Sequence, residues 1–262
     1  MMQHTNYQPA QEAFARLLQI MDELRAQCPW DKKQTMESLR HLTIEEVYEL
    51  ADSILDKDLN EVKKELGDIL LHIIFYAKIA SETNAFDITE VINAICDKLI
   101  SRHPHIYSDT IANDEETVKK NWEQLKMKEG NTSVLQGVPS SLPSLIKAMR
   151  IQEKARGAGF DWDNPAQVWE KVIEEMNEFK CEVELGNKNR MAAEFGDLLF
   201  SLINYARFHE INPEEALELT NRKFINRFKY MENEVRKLNQ KLENMTLAEM
   251  DVHWNEAKKI FK

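Results

Sequence analysis

Apolar residues recur along most of this chain at the three- and four-residue spacing of amphipathic helices. Near the amino terminus, Phe14, Leu17, Leu18 and Met21 define one such apolar face. A capping box, in which Thr246 is followed three residues later by Glu249, predicts where the last helix begins. The pattern predicts an all-α fold with helices over residues 10–26, 35–56, 58–83, 88–103, 114–129, 143–156, 165–185, 188–210, 213–240 and 246–261.

The helical pattern is duplicated within the chain. The clearest matches pair KELGDILLHIIFYAKI (64–79) with AEFGDLLFSLINYARF (193–208) and IEEVYEL (44–50) with IEEMNEF (173–179), both at an offset of 129 residues. Shorter matches, at offsets of 125 to 132 residues, pair Trp30 with Trp162, Lys98 and Arg102 with Lys223 and Arg227, and Trp122 and Lys126 with Trp254 and Lys258. Because the offset changes only between matched segments, the sequence predicts two copies of one helical domain with different loops.

The segment between the two copies has the composition of a linker. GNTSVLQGVPSSLP (130–143) contains two glycines, two prolines and four serine or threonine residues. We therefore predict an amino-terminal domain over 10–129, a linker over 130–143 and a carboxy-terminal domain over 144–262.

Composition and charge agree with long helices and narrow the classes of partner. The chain has 7 glycines and 7 prolines in 262 residues, about half the usual share, which disfavours a sandwich, a barrel or a doubly wound sheet. The formal net charge of −11 repels phosphates, so we expect neither a nucleic-acid nor a membrane partner.

The cysteines and apolar runs indicate a cytoplasmic protein. Cys28, Cys96 and Cys181 lie far apart and form no CxxC pair, which favours reduced thiols over disulfides or structural zinc. The first residues lack the pattern of a signal segment, and the longest apolar runs are too short to span a membrane.

The strongest chemical signal is a group of carboxylates on two consecutive helices of the second copy. Glu174, Glu175 and Glu178 lie on one helix, where residues three and four apart share a face. Glu194 and Asp197 lie on the next helix, which a short loop makes an antiparallel neighbour. Converging carboxylates repel by about 1–4 kcal/mol per close pair, and a divalent cation relieves that repulsion. Oxygen ligands without His or Cys favour Mg²⁺, Mn²⁺ or Ca²⁺.

Two alternatives compete with a metal site. A solvated, charged helix face is the common explanation of a single ExxE motif, but EExxE followed by ExxD on the next helix, present twice, argues against it. A ferritin-like di-metal bundle needs Glu-x-x-His, and none of the seven histidines has a glutamate three residues before it.

These motifs, together with CPWD at 28–31 and the duplication, resemble the MazG family of nucleoside triphosphate pyrophosphohydrolases over nearly the whole chain. The resemblance implies an all-α homodimer that hydrolyses nucleoside triphosphates to monophosphate and pyrophosphate with Mg²⁺, or with Mn²⁺ in its place. It implies metal ligands at Glu175, Glu178, Glu194 and Asp197. Glu174 and Glu175 become the candidate catalytic residues that orient or deprotonate water.

A triphosphate also needs cations near the metal, and the second copy has them before the acids and on its next two helices. The candidate substrate-binding residues are Lys171, Lys188, Arg190, Lys223, Arg227, Trp254 and Lys258. We expect the cations to contact phosphates and Trp254 to stack on a base. Core or interface packing is the alternative for Trp254, and a plain surface position is the alternative for Lys258.

The first copy keeps the acids but loses cations. Its candidate vestigial site consists of Glu45, Glu46, Glu49, Glu65 and Asp68. The counterparts of Lys171, Lys188 and Arg190 are Leu42, Leu59 and Glu61, and the counterpart of Asn204 is Phe75. We predict that the second copy is the main catalyst, and that the first binds metal or nucleotide weakly or serves dimerisation and regulation.

The resulting hypothesis is metal-assisted attack of water on the α-phosphorus of a broad range of nucleoside triphosphates. The physiological role would be clearing damaged nucleotides or adjusting nucleotide pools under starvation. The alternative is a non-catalytic nucleotide-binding sensor or helical adaptor that uses the acidic pocket for binding alone. The cations retained in the second copy favour the enzyme.

Overall fold

The computed structural model describes residues 6–108 and 133–261. The chain divides into two compact units, and each of these ranges belongs to one of them. The first unit contains α1 (Gln8–Gln27), α2 (Met36–Leu55), α3 (Leu59–Ser81), α4 (Ile88–Arg102) and the short α5 (Pro104–Tyr107). The second contains α6 (Ser144–Gly157), α7 (Pro165–Leu185), α8 (Lys188–Phe208), α9 (Pro213–Lys237) and α10 (Leu247–Ile260). Within the two ranges helix is the only regular structure, which confirms the all-α prediction, and no helix there is long and apolar enough to cross a membrane.

The predicted helices are confirmed wherever the structure describes them, with small differences at their ends. α4 ends at Arg102 because Pro104 has no N–H with which to continue it. α9 ends at Lys237 rather than at 240, and Asn239 just beyond it takes a left-handed conformation with a φ of 54°. The predicted helix over 114–129, with Trp122 and Lys126, and the start of the predicted linker at 130–132 lie outside the described residues.

Each unit is centred on an antiparallel helix pair, α2 with α3 and α7 with α8. Gly186 ends α7 with a left-handed φ of 71°, and the Asn187 side chain accepts a hydrogen bond from the Arg190 backbone N–H at the start of α8. Asp58 caps α3 in the same way. These short turns place the EExxE and ExxD motifs of each unit on neighbouring helices, as predicted.

The apolar packing differs between the units at one informative position. In the first unit, Met21, Leu39, Ile74 and Phe75 form a buried cluster, and Leu42 packs against it. In the second unit the buried apolar residues are Val168, Val172, Ile203, Met231, Val235 and Ala257. The second-unit counterpart of Phe75 is Asn204, which lines a cavity instead of filling it.

A stripe of exposed apolar side chains occurs at equivalent positions of α3 and α8. On α3 the stripe consists of Leu66, Leu70 and Ile73, and on α8 a second stripe consists of Phe195, Leu199 and Leu202. Each of these residues is between 38% and 53% exposed. Spacings of four and three residues place each set on one helix face. Contiguous exposed apolar surface of this kind commonly marks a surface that packs against protein.

Candidate active site

Three carboxylates converge where α7 and α8 face each other. One oxygen atom from each of Glu175, Glu178 and Glu194 lies within 4.8 Å of the other two. Glu175 is buried, with 6% of its surface exposed, whereas Glu194 is half-buried and Glu178 is exposed. These three residues form the acidic cluster, and they are three of the four metal ligands predicted from the sequence.

The fourth predicted ligand, Asp197, lies next to the acidic cluster. It follows Glu194 by one helical turn and lines the same cavity as Glu175. Burial raises the pKa of Glu194, and the charges of Glu178, Asp197 and Glu175 raise it further. The site therefore favours a positive partner, a proton or a cation, at these oxygens.

Lys171 supplies positive charge at the edge of the acidic cluster. Its Nζ lies 2.8 Å from Glu174 Oε1 and 2.7 Å from Glu175 Oε1. Hydrogen bonds to these two carboxylates raise the pKa of Lys171 above its ordinary value. One ammonium group thus joins both predicted catalytic glutamates.

The donor set fits a hard divalent cation. The converging groups are all carboxylates, which are the ligands that Mg²⁺, Mn²⁺ and Ca²⁺ prefer. Burial, and then the mutual repulsion of these carboxylates, raise the pKa of Glu194, and a divalent cation would remove that repulsion.

A cavity of about 690 Å³, within the size range of small-molecule sites, opens beside the acidic cluster. Lys171, Glu175 and Asp197 form part of its wall. Further lining residues are Gln152, Phe160, Asp161, Trp162, Asn204 and Arg207. The sequence identifies Trp162 and Asn204 only as positions that can be compared between the two copies, and its pattern predicts no role in the site for any of these six residues.

Arg207 fixes two of these lining residues. Its Nη1 donates to Asp161 Oδ2 at 3.0 Å, and its Nε and Nη2 donate to Asn204 Oδ1 at 3.0 and 2.8 Å. The basic residue at the same repeat position of the first copy, Lys78, is a sequence signal that points to Arg207. Asp161 and Gln152 have no such signal, because they lie outside the matched helices.

Of the two basic residues predicted at the start of α8, Arg190 pairs with an acid outside the acidic cluster. Lys188 is exposed, and Arg190 Nη1 lies 3.4 Å from Glu182 Oε1. Arg190 lies one helical turn before Glu194, but its guanidinium contacts Glu182 of α7, which lies outside the acidic cluster.

The remaining predicted substrate-binding residues lie on α9 and α10, which pack mainly against each other. Lys223 is half-buried, and Arg227 donates from Nε and Nη2 to the backbone carbonyl of Phe261 at 2.9 and 2.7 Å. Trp254 packs on Phe224 with ring centroids 5.0 Å apart. Lys258 is exposed and donates to Asn255 Oδ1 at 3.2 Å.

The first unit has a similar acidic group without the lysine. Carboxylate oxygens of Glu46, Glu49 and Glu65 lie within 4.8 Å of one another. Burial raises the pKa of Glu46, and the charges of Asp68, Glu49, Glu65 and Glu45 add to the effect. Leu42, the counterpart of Lys171, packs against the apolar core instead.

Comparison with known protein families also finds one domain twice in this chain. The MazG nucleotide pyrophosphohydrolase domain matches the chain twice, over residues 34–107 and 164–231. Each match contains one of the two helix pairs and its carboxylates.

Several curated proteins are similar over most of the chain. A Thermotoga maritima protein named nucleoside triphosphate pyrophosphohydrolase/pyrophosphatase MazG is 42% identical over 250 residues, which cover 94% of this chain and 95% of that protein. An Escherichia coli K12 nucleoside triphosphate pyrophosphohydrolase is 38% identical over 253 residues, with 93% and 96% covered. The uncharacterised YabN of Bacillus subtilis 168 is 46% identical over 251 residues, and this chain spans 51% of its length.

Proposed function

The chain belongs to the MazG family of nucleotide pyrophosphohydrolases, and we propose that its second unit hydrolyses nucleoside triphosphates to nucleoside monophosphates and pyrophosphate. The observation that carries this proposal is the acidic cluster of α7 and α8 beside a cavity of about 690 Å³. The site thus combines oxygen ligands for a cation with room for a nucleotide. The names of the Thermotoga maritima and Escherichia coli relatives support the same reaction.

Glu175, Glu178, Glu194 and Asp197 would hold the cation, which we propose to be Mg²⁺, with Mn²⁺ as an alternative. When bound, the cation supplies Lewis-acid chemistry and lowers the pKa of water at the site. The oxygen-only donor set supports either ion but does not separate them.

Glu174 and Glu175 are the proposed groups that orient the attacking water and take its proton. The ammonium of Lys171 contacts both carboxylates and holds them together at the edge of the acidic cluster. A bond forms between the water oxygen and the α-phosphorus, and the bond from that phosphorus to the bridging oxygen breaks. Pyrophosphate leaves with the bridging oxygen. Lys171 also lines the cavity, where its positive charge would neutralise charge on the phosphates.

We assign the main activity to the second unit because the first lacks the lysine and the open cavity wall. Leu42 and Phe75 occupy the positions of Lys171 and Asn204, and both belong to the first unit's apolar packing. The acids of the first unit remain a candidate vestigial metal or nucleotide site. We retain residues 10–129 and 144–262 as the proposed domains.

The basic residues outside the acidic cluster remain proposed phosphate or base contacts. They are Lys188, Arg190, Lys223, Arg227, Trp254 and Lys258. We also propose a homodimer, supported by the exposed apolar stripes of α3 and α8. A broad nucleotide range, a cytoplasmic location and a role in clearing damaged nucleotides or adjusting nucleotide pools complete the proposal.

The test is product analysis with the common ribonucleoside and deoxyribonucleoside triphosphates in ¹⁸O-labelled water, with Mg²⁺ and with EDTA. We expect monophosphate and pyrophosphate, loss of both with EDTA, and the label in the monophosphate. Diphosphate and phosphate as products, or label in pyrophosphate, would contradict attack at the α-phosphorus. Nucleotide binding without turnover would favour the sensor or adaptor instead.

A further inference from the structure

We propose that Glu182 is a positioning residue, which holds the guanidinium of Arg190 beside the acidic cluster so that it meets the phosphates of a bound nucleotide. The inference rests on the proposed function for the view that a nucleoside triphosphate binds at the cluster. It goes further by giving a role to a buried acid that belongs to neither carboxylate motif.

Glu182 is a buried carboxylate that the rest of the chain satisfies incompletely. Only 9% of the residue is exposed. Its Oε1 accepts a hydrogen bond from Arg190 Nη1 at 3.4 Å, whereas its Oε2 is buried and has no hydrogen-bond partner within the described residues. Taking a carboxylate out of water costs free energy that only good pairing offsets, and one long contact offsets little of it. Stability of the fold therefore gives no reason for an acid at this position.

The ion pair of Glu182 and Arg190 lies one helical turn beyond the acidic cluster. Glu182 follows Glu178 by four residues on α7, and Arg190 precedes Glu194 by four residues on α8. Because the two helices are antiparallel, both steps run in the same direction, and each is a rise of about 6 Å. An arginine side chain is long enough to cover that distance, so its guanidinium can reach phosphates held at the cluster.

Arg190 stays available to a ligand while it is paired. Its side chain is 70% exposed, and among the described residues Glu182 is the one partner of its guanidinium. A guanidinium carries five N–H donors in a planar fork, and this contact engages one of its nitrogen atoms. The other donors are free to bind phosphate oxygens. The pair therefore restrains the guanidinium without occupying it.

The first copy shows that the acid accompanies the arginine and not the acidic cluster. At the repeat offset of 129 residues, Ser53 is the counterpart of Glu182. Ser53 is 6% exposed, and its hydroxyl donates to the backbone carbonyl of Leu50 at 2.9 Å, so this position is buried in both units yet needs no charge. The counterpart of Arg190 is Glu61. Both members of the pair are thus replaced in a unit that keeps its cluster of carboxylates.

Holding the guanidinium in place should strengthen nucleotide binding. A free arginine side chain loses rotamer freedom when it contacts a phosphate, and this loss weakens affinity by about three- to tenfold. Part of the loss has already occurred on folding when Glu182 restrains Arg190. Without Arg190, the charge of Glu182 would only repel phosphates. The benefit of Glu182 should therefore depend entirely on the arginine.

The experiment is calorimetric titration of the full chain, in Mg²⁺, with α,β-methylene-ATP, whose carbon bridge blocks the proposed cleavage. Glu182→Ser, which installs the first unit's residue, should weaken binding by about fivefold. Arg190→Ala should weaken it by about tenfold or more. In the Arg190→Ala background, Glu182→Ser should weaken binding by less than about twofold. Glu184→Ser, at an exposed position of the same helix, is the matched control and should bind as the wild type does.

Glu182→Gln tests the same role in a side chain of nearly unchanged size. The amide lacks the charge that strengthens the bond to Arg190, so this variant should weaken binding by at least about twofold, and again only when Arg190 is present. Titration with Mg²⁺ alone should give the wild-type affinity for both Glu182 variants, because a positioning residue is not a metal ligand.

The proposal is overturned if both Glu182 variants bind the analogue as tightly as the wild type, or if their losses persist without Arg190. It is also overturned if Arg190→Ala binds normally, or if the Glu182 variants bind Mg²⁺ more weakly, which would make Glu182 a metal ligand. Binding of the analogue needs no turnover, so a failure of the proposed hydrolysis is seen separately, in the product assay. A wild-type protein that hydrolyses ATP while its variants show none of these losses overturns this inference alone.

Discussion

The ammonium of Lys171 lies 2.7 Å from Glu175 Oε1, although Glu175 also belongs to the acidic cluster. The buried carboxylate would therefore have two competing positive partners, the lysine of its own helix and the proposed cation. In the first unit, Leu42 occupies the position of Lys171, so Glu46, the counterpart of Glu175, has no lysine at this position.

Lys171→Leu, which installs the first unit's residue, should separate metal binding from catalysis. Without the lysine, Glu175 has no competitor for the cation, so Mg²⁺ affinity should be retained or increased. The value of kcat/KM for ATP should fall by about tenfold or more, because a cation beside the phosphates is lost. Calorimetry with Mg²⁺ and pyrophosphate release measure the two effects.

Lys180→Leu is the matched control, since Lys180 lies on the same helix and is exposed. It should leave both measurements near the wild-type values. Weaker Mg²⁺ binding in Lys171→Leu would mean that the lysine organises the acidic cluster and does not compete with the metal.

Glu175→Gln and Glu46→Gln test the assignment of activity to the second unit at equivalent repeat positions. Glu175→Gln should lower kcat by about a hundredfold or more, because the amide neither holds the cation as well nor accepts the proton of water. Glu46→Gln should keep turnover within about threefold of the wild type. Equal losses in the two variants would show that both units contribute to turnover.

The helices and the acidic cluster were predictable because they depend on local spacing. Glu175 and Glu178 share a helix face. Because the turn at Gly186–Asn187 is short, α8 must run back antiparallel to α7. The cavity-lining residues Gln152 and Asp161 were not predictable in this way. Gln152 contacts Phe200 from 48 residues away, and Asp161 contacts Arg207 from 46 residues away, so neither contact leaves a periodic signal. Likewise, the ion pair of Arg190 with Glu182 depends on side-chain directions that spacing alone does not fix.

The raised pKa of Glu194 predicts how the stability of the metal-free protein depends on pH. Burial and neighbouring carboxylates raise this pKa in the folded state, so above the ordinary glutamate pKa of about 4.3 the folded chain binds more protons than the unfolded chain. The contribution of Glu194 to stability is therefore lost as the pH rises. Metal-free Glu194→Gln should unfold at a higher temperature than the wild type at pH 7.5, with a smaller difference near pH 5.

Mg²⁺ should reverse this effect by pairing with the same carboxylates. The rise in unfolding midpoint on adding Mg²⁺ should be larger at pH 7.5 than at pH 5 for the wild type, and small for Glu194→Gln at both. Glu184→Gln, at an exposed position of α7, is the control for removing one charge. A difference between Glu194→Gln and the wild type that shrinks as the pH rises would contradict the assignment.

Asp161→Asn should affect substrate binding more than the chemical step. Asp161 pairs with Arg207, which in turn orients Asn204. None of these three side chains belongs to the acidic cluster. Loss of the charge frees Arg207 and the adjoining Trp162, so KM for ATP should rise by about tenfold while kcat changes little. A fall in kcat at unchanged KM would place Asp161 at the reacting phosphorus instead.

The apolar stripe of α8 predicts the oligomeric state. Leu199 lies between Phe195 and Leu202 on one face and is 40% exposed, and Leu70 repeats the position on α3. A second copy that covers this face would remove the apolar surface from water, so we expect a mass near twice the 30.7 kDa of one chain in light scattering. Leu199→Glu would bury a charge in that interface and should shift the protein toward the single-chain mass. Leu185→Glu, at a 69% exposed position outside the stripe, should not. If Leu199→Glu keeps the wild-type mass at all concentrations tested, the α8 stripe does not form the interface.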